Sequence, residues 1–302
     1  MANKVAGASV RQAELSAAAS GTFTIGEDLT VNRLGFGAMR ITGDGVWGEP
    51  KDHDEAIRVL RRAVELGIDL IDTADSYGPE VSERLIAEAL HPYPANLVIA
   101  TKAGFDRPGP GKWVMNGRPE HLREACEGSL KRLKLERIDV YQLHRIDPGV
   151  PAEDQIGTLA DLQNEGKIKH IGLSEVNVEQ IKHAQSIAEI VSVQNRYSVA
   201  DRAADDVLEY CEANSIGFIP WFPLGAGELA EAGGALARTA KELGITTSQL
   251  ALAWLLWRSP GMLPIPGTSG VAHLEENVGA ASVNVHDQKM KELGKLAQSA
   301  EA

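Results

Sequence analysis

From Thr22 onward, short apolar runs alternate with longer stretches in which apolar residues recur every three to four positions. The short runs are "LGFGAM" (34–39), "IDLID" (68–72), "LVIATK" (97–102), "IDVYQLH" (138–144), "IKHIGLS" (168–174), "IVSVQ" (190–194), "IGFIPW" (216–221) and "MLPIP" (262–266). Each reads as a buried strand, because a parallel strand covered on both faces is apolar almost throughout. Stretches between them, such as "DEAIRVLRRAVELG", "SERLIAEAL", "PEHLREACEGSLKRL" and "AEDQIGTLADLQNEG", have helical spacing, with glycine or a basic residue near several ends. Eight strand and helix units over about 250 residues predict an α/β fold of the (β/α)8 TIM-barrel type rather than a doubly wound sheet.

Three segments fall outside this rhythm. "TFTIGEDLTVNRL" alternates around a central Gly-Glu-Asp and predicts an N-terminal β-hairpin. "TTSQLALAWLLWR" and "DQKMKELGKLAQSA" predict two extra helices, one before the last strand and one at the C-terminus. The first 20 residues are small and polar and read as a disordered tail, and with no Pro/Gly/Ser-rich linker beyond them, residues 21–302 read as one domain.

Composition narrows the partners. A net charge of −12 repels polyanions, so neither nucleic acid nor an anionic membrane surface is expected, and a small molecule is. No run has secretory or membrane-spanning character, and the two cysteines, Cys126 and Cys211, lack metal-ligand spacing. The expectation is a cytoplasmic protein, monomeric or weakly oligomeric, without a bound metal.

Reactive groups in such barrels sit at the C-terminal ends of the strands. Those ends hold Asp72, Lys102, His144, Ser174, Gln194 and Trp221, where mere closure of a barrel asks only for small or apolar residues. Taken singly, each has a bland reading: Asp72 as a helix cap, Lys102 as a solvated strand end, His144 as a satisfied core histidine, Tyr77 as a rim residue. Converging on one rim, they make a site. Tyr77 follows Asp72 by five positions, so its phenol can return over the barrel mouth. With an ordinary pKa of about 10, it needs a neighbour that stabilises the phenolate. Lys102 can do that, Asp72 can keep Lys102 charged, and His144 can donate to an oxygen on which charge develops.

The motifs "GIDLIDTADSYG", "ATKAG", "IDVYQLHRIDP", "GKIKHIGLSE", "VQNRYS", "PWFPLGAG" and "PIPGTS…HLEEN" occur in an order that resembles the aldo-keto reductases, from about Thr22 to the last helix. The resemblance implies that Asp72, Tyr77, Lys102 and His144 are the catalytic tetrad, with Tyr77 as proton donor when hydride reaches a carbonyl carbon. It also implies NADPH/NADP, with NADH not excluded, held without a Rossmann domain. Ser174 and Gln194 would meet the nicotinamide carboxamide, and Trp221, with Phe222 beside it, would stack on the ring. Leu224, Gly225 and Gly227 would wrap the pyrophosphate, and Gly37 and Met39 would border the ribose. Gly267, Thr268, Ser269 and His273 would hold the 2′-phosphate, and Glu276 and Asn277 would face the adenine. Two departures stand out. Gly267 and His273 occupy places where lysine or arginine is common, and Glu175 stands where asparagine is common. Trp47 and Trp113, on loops after the first and third strands, read as walls for a flat carbonyl substrate. "LHRIDP" and "PWFPLGAG" resemble the branch that includes pyridoxal reductases. Alternatives are a broad-specificity carbonyl reductase, a regulatory subunit with a reductase fold, and a phosphate-binding isomerase.

Overall fold

The computed structural model describes residues 15–225 and 234–299. A hairpin of β1 (Thr22–Ile25) and β2 (Leu29–Asn32) precedes β3 (Phe36–Gly37), α1 (His53–Glu65), β4 (Leu70–Asp72), α2 (Val81–Leu90) and β5 (Val98–Ala103). A second hairpin, β6 (Phe105–Gly109) and β7 (Lys112–Met115), interrupts the repeat. Then come α3 (Pro119–Leu133), β8 (Ile138–Leu143), α4 (Ala152–Asn164), β9 (Ile168–Ser174), α5 (Val178–Gln185), β10 (Ile190–Arg196), α6 (Asp205–Ala213) and β11 (Gly217–Trp221). The chain ends with α7 (Ala235–Leu243), α8 (Thr247–Arg258), α9 (Val271–Gly279) and α10 (Asp287–Ser299).

Seven strands form one parallel sheet in the order β3-β4-β5-β8-β9-β10-β11. The eighth run, Met262 to Pro266, closes it without becoming a regular strand. On one side the Leu263 N–H donates to Phe218 O at 2.8 Å and the Phe218 N–H to Gly261 O at 2.9 Å; on the other, the Gly35 N–H donates to Pro264 O at 3.0 Å. Pro264 and Pro266 have no N–H, so a continuous ladder cannot form there. The predicted eight-unit barrel is therefore present, with an irregular seam.

Alternation along each strand sorts side chains between interior and helical layer. In β5, Thr101 turns outward to α2 while Lys102 turns inward; in β8, Tyr141 turns toward α3, where its hydroxyl donates to Leu122 O at 3.4 Å, while Gln142 turns inward. The barrel floor is apolar: Leu70, Val98, Val140, Val191, Ile219 and Leu263 pack with Ile25 and Val31 of the first hairpin, which plugs the N-terminal end. Polar side chains can then occupy only the opposite mouth.

Two sequence expectations change. Within the predicted tail, Ala17–Ser20 form a 3-10 turn whose small side chains fit against the end of α1, and residues 1–14 lie outside the described residues. The Ala17 N–H donates to Leu66 O at 2.8 Å, and Ser20 Oγ accepts from the Leu34 N–H at 3.1 Å. The hairpin β6–β7 was not predicted at all; its strands are largely exposed and carry no apolar alternation. No described helix is long and apolar enough to cross a membrane.

Candidate active site

Asp72, Lys102, His144, Ser174, Gln194 and Trp221 meet at the C-terminal mouth because their strands end in register. Lys102 lies opposite Gln142 across β5 and β8, and Gln194 opposite Ser174 across β10 and β9. All but Trp221 are buried. Lys102 is fully enclosed, and its Nζ donates to Asp72 Oδ2 at 2.6 Å, Thr73 O at 2.8 Å and the Tyr77 hydroxyl at 3.3 Å. An ammonium has three protons, so this set satisfies it completely. The other carboxylate oxygen of Asp72 accepts from Gln142 Nε2 at 3.0 Å and Gln194 Nε2 at 2.8 Å.

These contacts set the protonation states. Burial opposes the charge on Lys102, but Asp72 and the Tyr77 oxygen more than offset it, and the ammonium is held above its ordinary range. Burial pushes the Tyr77 phenol upward and Lys102 only partly counters it, so the phenol stays protonated at neutral pH. Burial together with Lys102, Arg145 and Arg107 holds His144 well below the usual imidazole range, so it is neutral. Its Nδ1 lies 3.4 Å from Ser76 Oγ, and its ring stands edge-on to Tyr77 at 5.9 Å. A protonated phenol and a neutral imidazole thus face one cavity, above a lysine that cannot leave.

That cavity has a volume of about 750 Å³. Of the predicted residues it is lined by Gly37, Met39, Asp72, Tyr77, Trp113, His144, Ser174, Gln194, Trp221, Phe222, Leu224 and Gly267. Thr268, Ser269, His273, Glu276 and Asn277 are not among the lining residues; the first two precede α9 and the other three lie within it. There Glu276 accepts from the Thr246 hydroxyl at 2.8 Å, and Asn277 is buried. Gly225 lies just past the lining, and Gly227 lies outside the described residues.

Trp113 and Trp47 part company. Trp113, in β7, stands 6.5 Å from Tyr77, 6.2 Å from His144 and 5.4 Å from Phe105 between ring centroids, and walls the cavity. Trp47, predicted as a second wall, is not among the residues that line the cavity. The Arg107 guanidinium intervenes, 3.6 Å from the Trp113 ring and 5.5 Å from that of Trp47, and is held by Ser76 O at 2.6 Å and Val46 O at 3.1 Å. Asp75 stays out as well. Its Oδ1 is buried without a hydrogen-bond partner among the described residues, and burial pushes its carboxyl well above the usual range.

Six lining residues escaped the sequence reading: Arg40, Phe105, Arg145, Pro223, Ile265 and Pro266. Gln142, which braces Asp72, was legible by parity, two residues before His144 and on the same face of β8. The two departures also acquire reasons. A Cβ on Gly267 would fall 2.6 Å from Gly37 O and 3.3 Å from Arg40 Cγ; a Cβ on Gly37 would fall 2.6 Å from Ile265 O. The seam needs both glycines. Glu175, at φ 55°, accepts through Oε1 from Trp221 Nε1 and from the Arg196 N–H, both at 2.6 Å, so its carboxylate fixes the indole.

The Aldo/keto reductase family model matches residues 33–298. The chain belongs to that family. It is 51% identical over 288 residues to an uncharacterized oxidoreductase, C215.11c, of Schizosaccharomyces pombe, covering 95% of this chain and 94% of that one. It is 44% identical over 280 residues to pyridoxine 4-dehydrogenase of Escherichia coli, covering 91% and 97%. Among solved structures, the aldo-keto reductase of Klebsiella pneumoniae in complex with NADP and acetate superposes with a TM-score of 0.78 at 25% identity, over 91% of this chain and 95% of that one. The barrel and its family membership confirm the resemblance read from the motifs, and the chain is an oxidoreductase of the Aldo/keto reductase family.

Proposed function

We propose that the protein reduces an aldehyde or ketone to an alcohol with NADP(H), and that pyridoxal is its substrate. The observation that carries the reaction is the Lys102 ammonium, bonded to Asp72 at 2.6 Å and to the Tyr77 hydroxyl at 3.3 Å beneath a cavity shared with His144. A carbonyl oxygen placed between Tyr77 and His144 gains two donors. Tyr77 gives its proton as charge develops, and the adjacent Lys102 stabilises the phenolate left behind. His144, neutral, orients the oxygen. Asp72 keeps the lysine charged, and Gln142 and Gln194 keep Asp72 in place.

A nicotinamide cofactor suits the rest of the cavity. The mouth offers a fixed indole at Trp221, a hydroxyl at Ser174, an amide at Gln194 and a glycine cradle at Gly37 and Gly267 that backbone can approach closely. When bound, the cofactor supplies hydride; the chain's own residues orient it and manage the proton. Arg40 lines the cavity beside Gly267 and provides the cation that position 267 lacks. The pyridoxal reading is supported by the 44% identity to pyridoxine 4-dehydrogenase and by the aromatic wall that Trp113 and Phe105 form edge to face.

Steady-state turnover of a carbonyl panel that includes pyridoxal, run with NADPH and with NADH, tests both parts. Pyridoxal is expected to exceed simple aldehydes by at least tenfold in kcat/KM, with NADPH preferred. Equal turnover across the panel would replace the pyridoxal reading with a broad-specificity reductase.

A further inference from the structure

Charge inside the cavity is opposite in sign to the molecule as a whole. The protein carries −12, yet the charged residues lining the cavity are Arg40, Arg145 and Asp72, and Asp72 is neutralised by Lys102 at 2.6 Å. Lys102 has every proton engaged, which leaves Arg145 as the lining cation in contact with His144. Its backbone follows His144 directly, and its guanidinium folds back across the ends of β8 and β9. There Nη1 donates to His144 O at 2.6 Å and to Ser174 Oγ at 3.0 Å. The remaining nitrogens, Nε and Nη2, make no hydrogen bond among the described residues. Glu175, the carboxylate that its charge feels, accepts through one oxygen from both Trp221 Nε1 and the Arg196 N–H, without a hydrogen bond to Arg145.

We propose that Arg145 anchors an anionic substituent of the substrate, so that the enzyme selects flat carbonyl compounds bearing a carboxylate, phosphate or phenolate group. The inference rests on the carbonyl-reduction reading. A guanidinium fork presents paired donors that match such oxygens, and one side of this fork is already fixed, so less rotamer freedom is lost on binding. Phe105 stands 5.8 Å from the guanidinium carbon and Trp113 lies beyond it, 5.4 Å from Phe105. Cation and aromatic wall together suit an aromatic ring that carries both the carbonyl and the negative charge. Burial lowers the Arg145 pKa, meaning that its charge is incompletely solvated, and a bound anion relieves that cost.

The test compares 4-carboxybenzaldehyde with its neutral isostere, 4-carbamoylbenzaldehyde, on the NADPH-loaded wild type, Arg145→Met and Arg145→Lys. The wild type is expected to favour the acid by at least tenfold in kcat/KM. Arg145→Met should lower that acid-to-amide ratio at least tenfold, chiefly through KM, and Arg145→Lys should restore part of it. A parallel fall on both substrates would show that Arg145 only positions His144 or Ser174. A weaker hold on NADPH with the ratio unchanged would assign it to the cofactor. No wild-type preference would also overturn the proposal. If no aldehyde is reduced, the reductase reading fails by itself, and calorimetric titration of benzoate against benzamide into the NADP-saturated protein then decides the inference. Preferential binding of benzoate that vanishes in Arg145→Met sustains it, and equal binding ends it.

Discussion

A phenol is a weak acid, and burial makes Tyr77 weaker still, so its usefulness depends on what happens once the proton has gone. Lys102 at 3.3 Å is the group that meets the phenolate. Tyr77→Phe should therefore lower kcat/KM for reduction by about 10²–10⁴, the range that positioned proton donors contribute, while NADPH still quenches tryptophan fluorescence. Loss of the quench, or retained turnover, would refute the assignment. The pH profile is a second check. Tyr77 is raised above its ordinary pKa of about 10 and His144 lowered well below its ordinary 6.5, so neither group changes charge between about pH 7 and 9, and kcat/KM for reduction should be flat there. An inflection near 6.5 would mean that His144 titrates normally. At this scale much was legible: strand-end positions exposed Asp72, Lys102 and His144 because only a few side chains can reach a barrel mouth. Arg145 and Phe105 were hidden because each follows a strand or begins an unpredicted one, where parity carries no information. Position on a loop does not reveal which neighbour, here Arg107, stands between Trp47 and the cavity.

Elements pack around the site through a few buried polar ties. Glu83, fully buried in α2, accepts from Thr101 of β5 at 2.7 Å and from Arg132 of α3 at 2.6 Å, joining three elements. Breaking a buried pair by removing one partner costs about 3–5 kcal/mol, so Arg132→Met should unfold at clearly lower urea than Arg132→Lys, with the m value unchanged. An equal midpoint for the two would mean that Glu83 finds other solvation. The seam carries a related liability. Gly267→Lys restores the charge common in the family but places a Cβ 2.6 Å from Gly37 O, and its expected result is a loss of about 1–3 kcal/mol in stability rather than tighter NADPH binding. A stable variant with higher NADPH affinity would refute that reading. Strand and helix order was readable because a buried parallel strand and an amphipathic helix have different periods. The second hairpin was not, since both of its strands face solvent.

On the scale of the whole molecule, closure is uneven. Strands β5 and β8 are each flanked on both sides by regular ladders, whereas the proline-interrupted stretch from Met262 to Pro266 is tied by isolated hydrogen bonds. Hydrogen exchange should run slowest in β8 and faster at Leu263 and Gly35, since local opening follows the weakest hydrogen-bonded region. Uniform protection around the barrel would show that side-chain packing across the seam compensates. Nothing in the sequence pattern marks this asymmetry except the two prolines, which read equally well as strand ends. The charge layout was only half visible: net charge predicts repulsion of polyanions, but its reversal within the cavity emerges when Asp72 is seen already paired with Lys102.

An aldehyde such as pyridoxal is prone to condense with primary amines, and a lysine stands close to where the proposed chemistry occurs. Condensation requires a free lone pair on nitrogen. Lys102 has none to offer: it is held as an ammonium, fully enclosed, with every proton engaged. The same tripod that tunes Tyr77 also keeps the enzyme from being trapped as an imine of the proposed substrate.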